Sequence, residues 1–178
     1  SCQECHMPVK ENGYHDHRFI GVDLDLTIPI NENPLYNEVS NMLSSAAEID
    51  FIIENDSLAQ SINAGDSLYI PIAVKSLTAH SLPSGTSFNR ESWLELIVFN
   101  GDEIIFSSGV VDNDESLNTQ IDEDLLLFTS KMFDQEGQLT NNITELDSLA
   151  NYSLLAYQER WKYYDIYIPP GIENEVFI

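Results

Sequence analysis

The stretch Trp93–Phe106, with the sequence WLELIVFNGDEIIF, decides the fold class of this chain. The run Trp93–Phe99 has the period of two that is typical of a strand, whose successive side chains point to opposite faces. An Asn-Gly pair follows in Asn100–Asp102, and such a pair favours the tight turn of a β-hairpin. We therefore predict a strand over Trp93–Phe99, a turn, and a second strand over Glu103–Phe106.

Other stretches repeat this pattern between turn residues. The predicted strands cover Asp50–Ile53, Leu68–Val74, Leu125–Phe133 and Tyr163–Ile168. Several short strands separated by turns are typical of an antiparallel sandwich. We therefore predict a mainly β fold, an immunoglobulin-like antiparallel β-sandwich, in which Pro71 indicates that its strand lies at an edge or carries a bulge.

A different segment precedes the sandwich. Residues 1–33 contain both cysteines and three of the four histidines without a regular period, which predicts a coil rich in metal ligands. Asn33 and Pro34 then favour a helix start, and apolar spacings of three and four predict a short helix over Leu35–Ala47. We expect a segment 1–48 and a sandwich domain 49–178 truncated at its C-terminal end, in a piece processed or excised from something longer.

The composition excludes two classes of partner. The 178 residues allow one sizeable domain, and 30 acidic against 7 basic residues give a formal charge of −23. This charge repels nucleic acid and an anionic membrane surface. The apolar runs are far shorter than the roughly 20 residues that cross a bilayer, so no membrane insertion is expected. The acidic stretches 112–124 and 134–151 are expected to be solvated loops, with calcium binding at the first as the alternative.

The stretch Cys2–His6, CQECH, is the C-x-x-C-H attachment motif of c-type haem. Two thiols at this spacing can each add to one vinyl group of the porphyrin, while the next side chain lies under the iron. We therefore predict covalent haem c on Cys2 and Cys5, with His6 as the proximal ligand. Iron held by imidazole and tethered by thioethers suits repeated one-electron transfer, which predicts an electron carrier and no enzyme.

Other interpretations of the cysteine pair stay open. A disulfide of an exported protein, or a redox dithiol, would need Cys2 and Cys5 alone. A zinc clip beside a sandwich that serves as a binding or assembly module would take its four ligands from Cys2, Cys5, His15 and His17.

A six-coordinate haem also needs a distal ligand. The candidates are His15, His17, His80, Met7, Met42 and Met132. We expect His17 or His80, because paired imidazoles suit the lower potentials of respiratory carriers. The residue after His17, Arg18, is a candidate contact for a haem propionate. His80 lies in a turn that Pro83 and Gly85 restrict to a few conformations.

Two parts of the chain resemble multihaem c-type cytochromes. Cys2–Pro8 (CQECHMP) followed by Asp16–Gly21 (DHRFIG) is similar to the terminal haem segment of that family, which often reads CxxCHMP and then HxF. Ala79–Thr86 (AHSLPSGT) and Arg90–Leu96 (RESWLEL) are similar to the GHK-[FL]-PTG…R-x-x-W pattern of the β-sandwich that follows the haems. Ala79 and Ser81 depart from the Gly and Lys of that pattern.

The resemblance implies an electron carrier in the periplasm or outside the cell of a bacterium or archaeon, with further haems N-terminal to this piece. It implies that His17 and His80 bind haem iron, either of this haem or of a neighbouring one. The expected partners are other haem domains or redox proteins, in a homo- or hetero-oligomer or a filament.

Overall fold

The structure is a computed structural model that describes residues 2–51, 63–111, 117, 121–171 and 176–177. The α-helices of this part are α1 (Cys2–His6) and α2 (Tyr36–Ser44). The strands are β1 (Ala47–Phe51), β2 (Ser67–Ser76), β3 (Ser92–Leu94), β4 (Leu96–Asn100), β5 (Glu103–Ser108), β6 (Leu126–Phe128), β7 (Ser130–Phe133), β8 (Leu139–Thr140), β9 (Ser148–Asn151), β10 (Glu159–Tyr167) and β11 (Val176–Phe177). No helix within these residues is long and apolar enough to cross a bilayer.

The described strands pair antiparallel in four small sheets, so the predicted mainly β antiparallel sandwich is confirmed. The sheet orders are β1-β2-β10, β11-β4-β5, β3-β6 and β8-β7-β9. The core lies where the inner face of β2 meets buried residues of β3, β4, β6 and β10. Along β2 this face consists of Leu68, Ile70, Ile72 and Val74. Each such side chain contributes about 2 kcal/mol when it leaves water.

The predicted hairpin is confirmed, since β4 pairs with β5 and Asn100 lies opposite Glu103. Gly101 has a φ of +61° in the turn, which a glycine adopts without steric cost. The expectation for Pro71 is wrong, because its strand β2 lies between β1 and β10, and Pro71 itself pairs with Tyr163.

Two predicted strands are each divided by a tertiary contact. The run Trp93–Phe99 breaks at Glu95, where the backbone of Gly109 packs against that of Leu94. The run Leu125–Phe133 breaks at Thr129, whose buried hydroxyl donates to the carbonyl oxygens of Ser87 (3.1 Å) and Arg90 (2.9 Å).

The segments outside the predicted strands differ in detail. The predicted helix is present as α2, whereas the predicted coil contains the short helix α1. The stretch 134–151, expected to be a loop, carries β8 and β9 on either side of β7. Most of the acidic stretch 112–124 lies outside the described residues, so the structure does not test calcium binding there.

Gly109 provides a stability test of the strand break. It has a φ of +73°, and an added Cβ would overlap the Leu94 carbonyl oxygen. Gly137 has nearly the same φ, +74°, but nothing within 4 Å of an added Cβ. We expect Gly109→Ala to destabilise the fold by about 1–3 kcal/mol more than Gly137→Ala. Both alanines would have an unfavourable positive φ, but only the Cβ at position 109 would also overlap its neighbour. Denaturant unfolding measures both, and equal losses would contradict this account.

Candidate functional site

The short helix α1 gathers the three residues of the C-x-x-C-H motif. Cys5 and His6 follow Cys2 at spacings of three and four, which place side chains on one face of a helix. Both cysteines are exposed and form no disulfide. The helix therefore presents two free, exposed thiols beside one imidazole.

The His6 ring is held by a backbone acceptor and an aromatic side chain. Its Nδ1 lies 2.7 Å from the carbonyl oxygen of Ile20. Because a carbonyl only accepts, Nδ1 carries the proton and Nε2 keeps the lone pair that a metal needs. Phe19 stacks on the ring with centroids 4.7 Å apart. Phe19 itself has a φ of +50°, a strained backbone conformation for a bulky residue, and such strain often marks functional sites.

The turn after β2 brings His80 towards His6. Their ring centroids are 6.2 Å apart, and the ring planes differ by 25°. The two rings are stacked, so the N-terminal segment and the turn after β2 bring two imidazoles into one site.

Hydrogen bonds fix the His80 turn to the sandwich. Thr78 Oγ1 donates to the His80 carbonyl oxygen at 2.6 Å, and His80 Nδ1 lies 3.0 Å from the Ser81 carbonyl oxygen. Leu82 exchanges two backbone hydrogen bonds, of 2.7 and 2.8 Å, with the buried Leu154. His80 is exposed, so its backbone is anchored while its ring remains accessible.

Arg90 links the two parts of the site, and analysis of the sequence did not single it out. Its Nη2 donates to both carboxylate oxygens of Asp23, at 3.0 and 2.9 Å, and its Nη1 donates to the Ser84 carbonyl oxygen at 3.0 Å. Asp23 belongs to the N-terminal segment, and Ser84 lies in the turn that carries His80. The only signal in the sequence was the place of Arg90 in the R-x-x-W stretch.

A buried carboxylate organises the segment after α1. Asp16 is 4% exposed, and Arg18 donates to it through the backbone nitrogen, Nε and Nη2. Arg18 also donates to Glu38 of α2 at 3.0 Å. These hydrogen bonds hold the pKa of the Asp16 carboxyl well below its usual range and raise the pKa of Arg18. Because two carboxylates already engage Arg18, a propionate at this guanidinium would have to compete with them.

Among the described residues, no ring contact joins His15 or His17 to His6 or His80. His15 Nδ1 lies 2.7 Å from the Met7 carbonyl oxygen. His17 is exposed, and within the described residues its side chain forms no hydrogen bond, ion pair or ring contact. The structure does not favour the zinc clip, because among the described residues no three His, Cys, Asp or Glu side chains converge on a metal position.

A solved structure shares the fold of this chain. It is described as the crystal structure of a penta-heme cytochrome c552 from Thermochromatium tepidum, with a TM-score of 0.63 and 20% sequence identity. The similarity covers 94% of this chain and 36% of that one, so this chain spans about a third of its length. At this identity the likeness supports a common fold alone. No protein-family model and no curated protein matches the chain.

Asp16 gives a pH-dependent test of the segment. Folding lowers the pKa of the Asp16 carboxyl, so the ionised carboxylate stabilises the folded state. This stabilisation is fully present above the pKa of the unfolded chain, about 4, and is lost as the pH falls towards the lower pKa of the folded chain. We expect Asp16→Asn to speed amide exchange over residues 9–20 at pH 7, with a difference from the parent chain that shrinks below about pH 4.

The control is Glu48→Gln, because Glu48 and its partner Lys75 are half-exposed and lie 3.8 Å apart. Such surface pairs contribute about 0–1 kcal/mol, so this change should leave the exchange of residues 9–20 unaltered. If the exchange of residues 9–20 differs between Asp16→Asn and the parent chain by the same amount at pH 7 and at about pH 3, the role of the carboxylate is contradicted.

Proposed function

We propose that this chain carries one covalently bound c-type haem and transfers single electrons. The observation that carries the proposal is the 6.2 Å separation of the His6 and His80 rings, beside a helix that presents two free thiols. The donor set fits the group, because two thiols, one supported imidazole and a second imidazole are what a six-coordinate c-type haem requires.

Each residue has a distinct task in this proposal. Cys2 and Cys5 form the thioethers, His6 Nε2 is the proximal ligand, and His80 is the distal ligand. The haem iron, when bound, supplies reversible one-electron chemistry. The chain fixes the ligands beforehand: Ile20 orients the His6 ring, and hydrogen bonds hold the turn of His80. Ligands that move little on oxidation or reduction favour fast electron transfer.

Arg90 acts in this proposal as a positioning residue. Through Asp23 and the Ser84 carbonyl it joins the segment that carries His6 to the turn that carries His80. Arg18 remains a candidate for a propionate contact, if a propionate displaces Glu38 from the exposed end of the guanidinium. His17 is then free for a neighbouring haem.

The wider setting belongs to the same proposal. We place the chain in a multihaem protein of the periplasm or cell exterior, with a haem segment 1–48 and a sandwich 49–178, and with other haem domains or redox proteins as partners. The shared fold with part of a longer cytochrome supports this setting. A carrier of this kind needs no catalytic residue.

Covalent attachment is tested by mass. The chain, produced with the export and haem-attachment machinery of a bacterial host, should be heavier by one haem under denaturing conditions. Cys2→Ala with Cys5→Ala should remove that mass, because thioethers need both thiols, whereas His17→Ala should keep it. The bare polypeptide mass in the unaltered chain would refute haem c.

The distal ligand is tested by electron paramagnetic resonance of the ferric protein. His80→Ala should convert the low-spin bis-imidazole signal to a high-spin signal, because the sixth ligand is lost. His17→Ala is the matched control, because His17 is also exposed but lies in the N-terminal segment, and it should leave the signal unchanged. Loss of the low-spin signal in His17→Ala, with retention in His80→Ala, would reverse the assignment.

A further inference from the structure

The outer face of the sheet β1-β2-β10 carries a row of aromatic rings. Along β2, Tyr69 alternates with the core residues Leu68 and Ile70, so its side chain points away from the core. Trp161 and Tyr163 lie on the same face of the neighbouring strand β10. Tyr163 stacks with Trp161 and with Tyr69, at centroid separations of 6.2 and 6.0 Å. Tyr69 and Tyr163 are 56% and 55% exposed, so this aromatic row is open to solvent.

Carboxylates flank the aromatic row on the same face. Along β10, Glu159, Trp161, Tyr163 and Asp165 follow at intervals of two residues, so all four point to one side of the sheet. Trp161 Nε1 donates to a carboxylate oxygen of Glu159 at 3.2 Å. Asp165 lies directly opposite Tyr69 in the register of the two strands. Each end of the aromatic row therefore has a carboxylate beside a ring.

The basic residues of the chain do not neutralise this face. Lys75, the one basic residue on the outer face of this sheet, lies 3.8 Å from Glu48. Asp50 and Asp165 form no hydrogen bond or ion pair through their side chains within the described part of the chain. In the same part of the chain no cation lies over the aromatic row, although cations do lie over three other rings: Lys131 over Tyr152, Arg160 over Phe128 and Lys162 over Tyr164.

We propose that this face docks an extended, arginine-containing segment of a partner protein. A guanidinium can stack on an aromatic ring and pair with a carboxylate at the same time, and each end of the aromatic row offers both groups. Alternate side chains of an extended segment recur at about 6.4–6.8 Å, close to the 6.2 Å between the rings of Trp161 and Tyr163.

Charge complementarity selects this occupant over a second copy of the chain. A second copy would bring another formal charge of −23 towards carboxylates that are already unpaired, whereas a basic segment would neutralise them. The proposal concerns a surface of the sandwich and does not depend on haem binding by the N-terminal segment.

The rings are tested by calorimetric titration of the full chain with a synthetic peptide of alternating arginine and serine, at about 0.15 M salt. Tyr163→Leu removes the central ring of the aromatic row but keeps an apolar side chain on the strand. We expect it to weaken binding about three- to thirtyfold, the range of a cation–π contact. Tyr14→Leu is the matched control, because Tyr14 is 74% exposed and lies outside this sheet, and it should change the affinity less than about 1.5-fold.

The carboxylates are tested with a second pair of variants. Asp165→Asn should weaken binding of the same peptide about twofold or more, because it removes a partner of the guanidinium. Glu136→Gln removes the same charge from an exposed residue outside this sheet and should weaken binding less. The corresponding lysine and serine peptide should bind more weakly than the arginine peptide, because an ammonium group does not stack as a planar guanidinium does.

Diffuse attraction to an acidic chain would give a different set of results. Equal affinities for the arginine and lysine peptides, equal effects of Tyr163→Leu and Tyr14→Leu, or no binding to the unaltered chain would each overturn the proposal. Self-association of the chain that Tyr163→Leu abolishes would assign the face to a second copy instead. Binding of a neutral oligosaccharide that the same change abolishes would assign it to a carbohydrate.

Discussion

Burial of the inner face of β2 is the constraint on which the rest of the structure depends. This strand pairs with β1 on one side and β10 on the other, and its apolar side chains face the strands of the opposite layer. The strand ends at the fully buried Ser76, whose hydroxyl bonds Thr78, and Thr78 in turn bonds the His80 carbonyl. These two hydrogen bonds link the backbone of His80 to the buried end of β2.

The candidate site lies at a junction and belongs to neither part alone. His6 is supplied by the N-terminal segment and His80 by the sandwich, and Arg90 bridges the two. Asp23 is largely exposed, and exposed ion pairs contribute about 0–1 kcal/mol. This pair therefore contributes little to the free energy of folding, and its effect is to orient the two parts.

Charge is distributed unevenly in this acidic chain. Of its seven basic residues, Lys10, Arg18 and Arg90 lie in or against the N-terminal segment, and each pairs with an aspartate. The strongest of these pairs is Asp16 with Arg18, where burial weakens the screening by water. Elsewhere the excess negative charge repels itself.

The sequence by itself determined what depends on neighbours along the chain. The spacing of Cys2, Cys5 and His6 fixes one face of a helical turn, and a period of two with an Asn-Gly turn fixes a hairpin. Only the tertiary structure decided that the strands break at Glu95 and Thr129, because partners distant in sequence occupy those positions. It also decided the pairing of His6 with His80 and the link through Arg90. Such distances arise from how two layers pack, and local patterns carry no information about them.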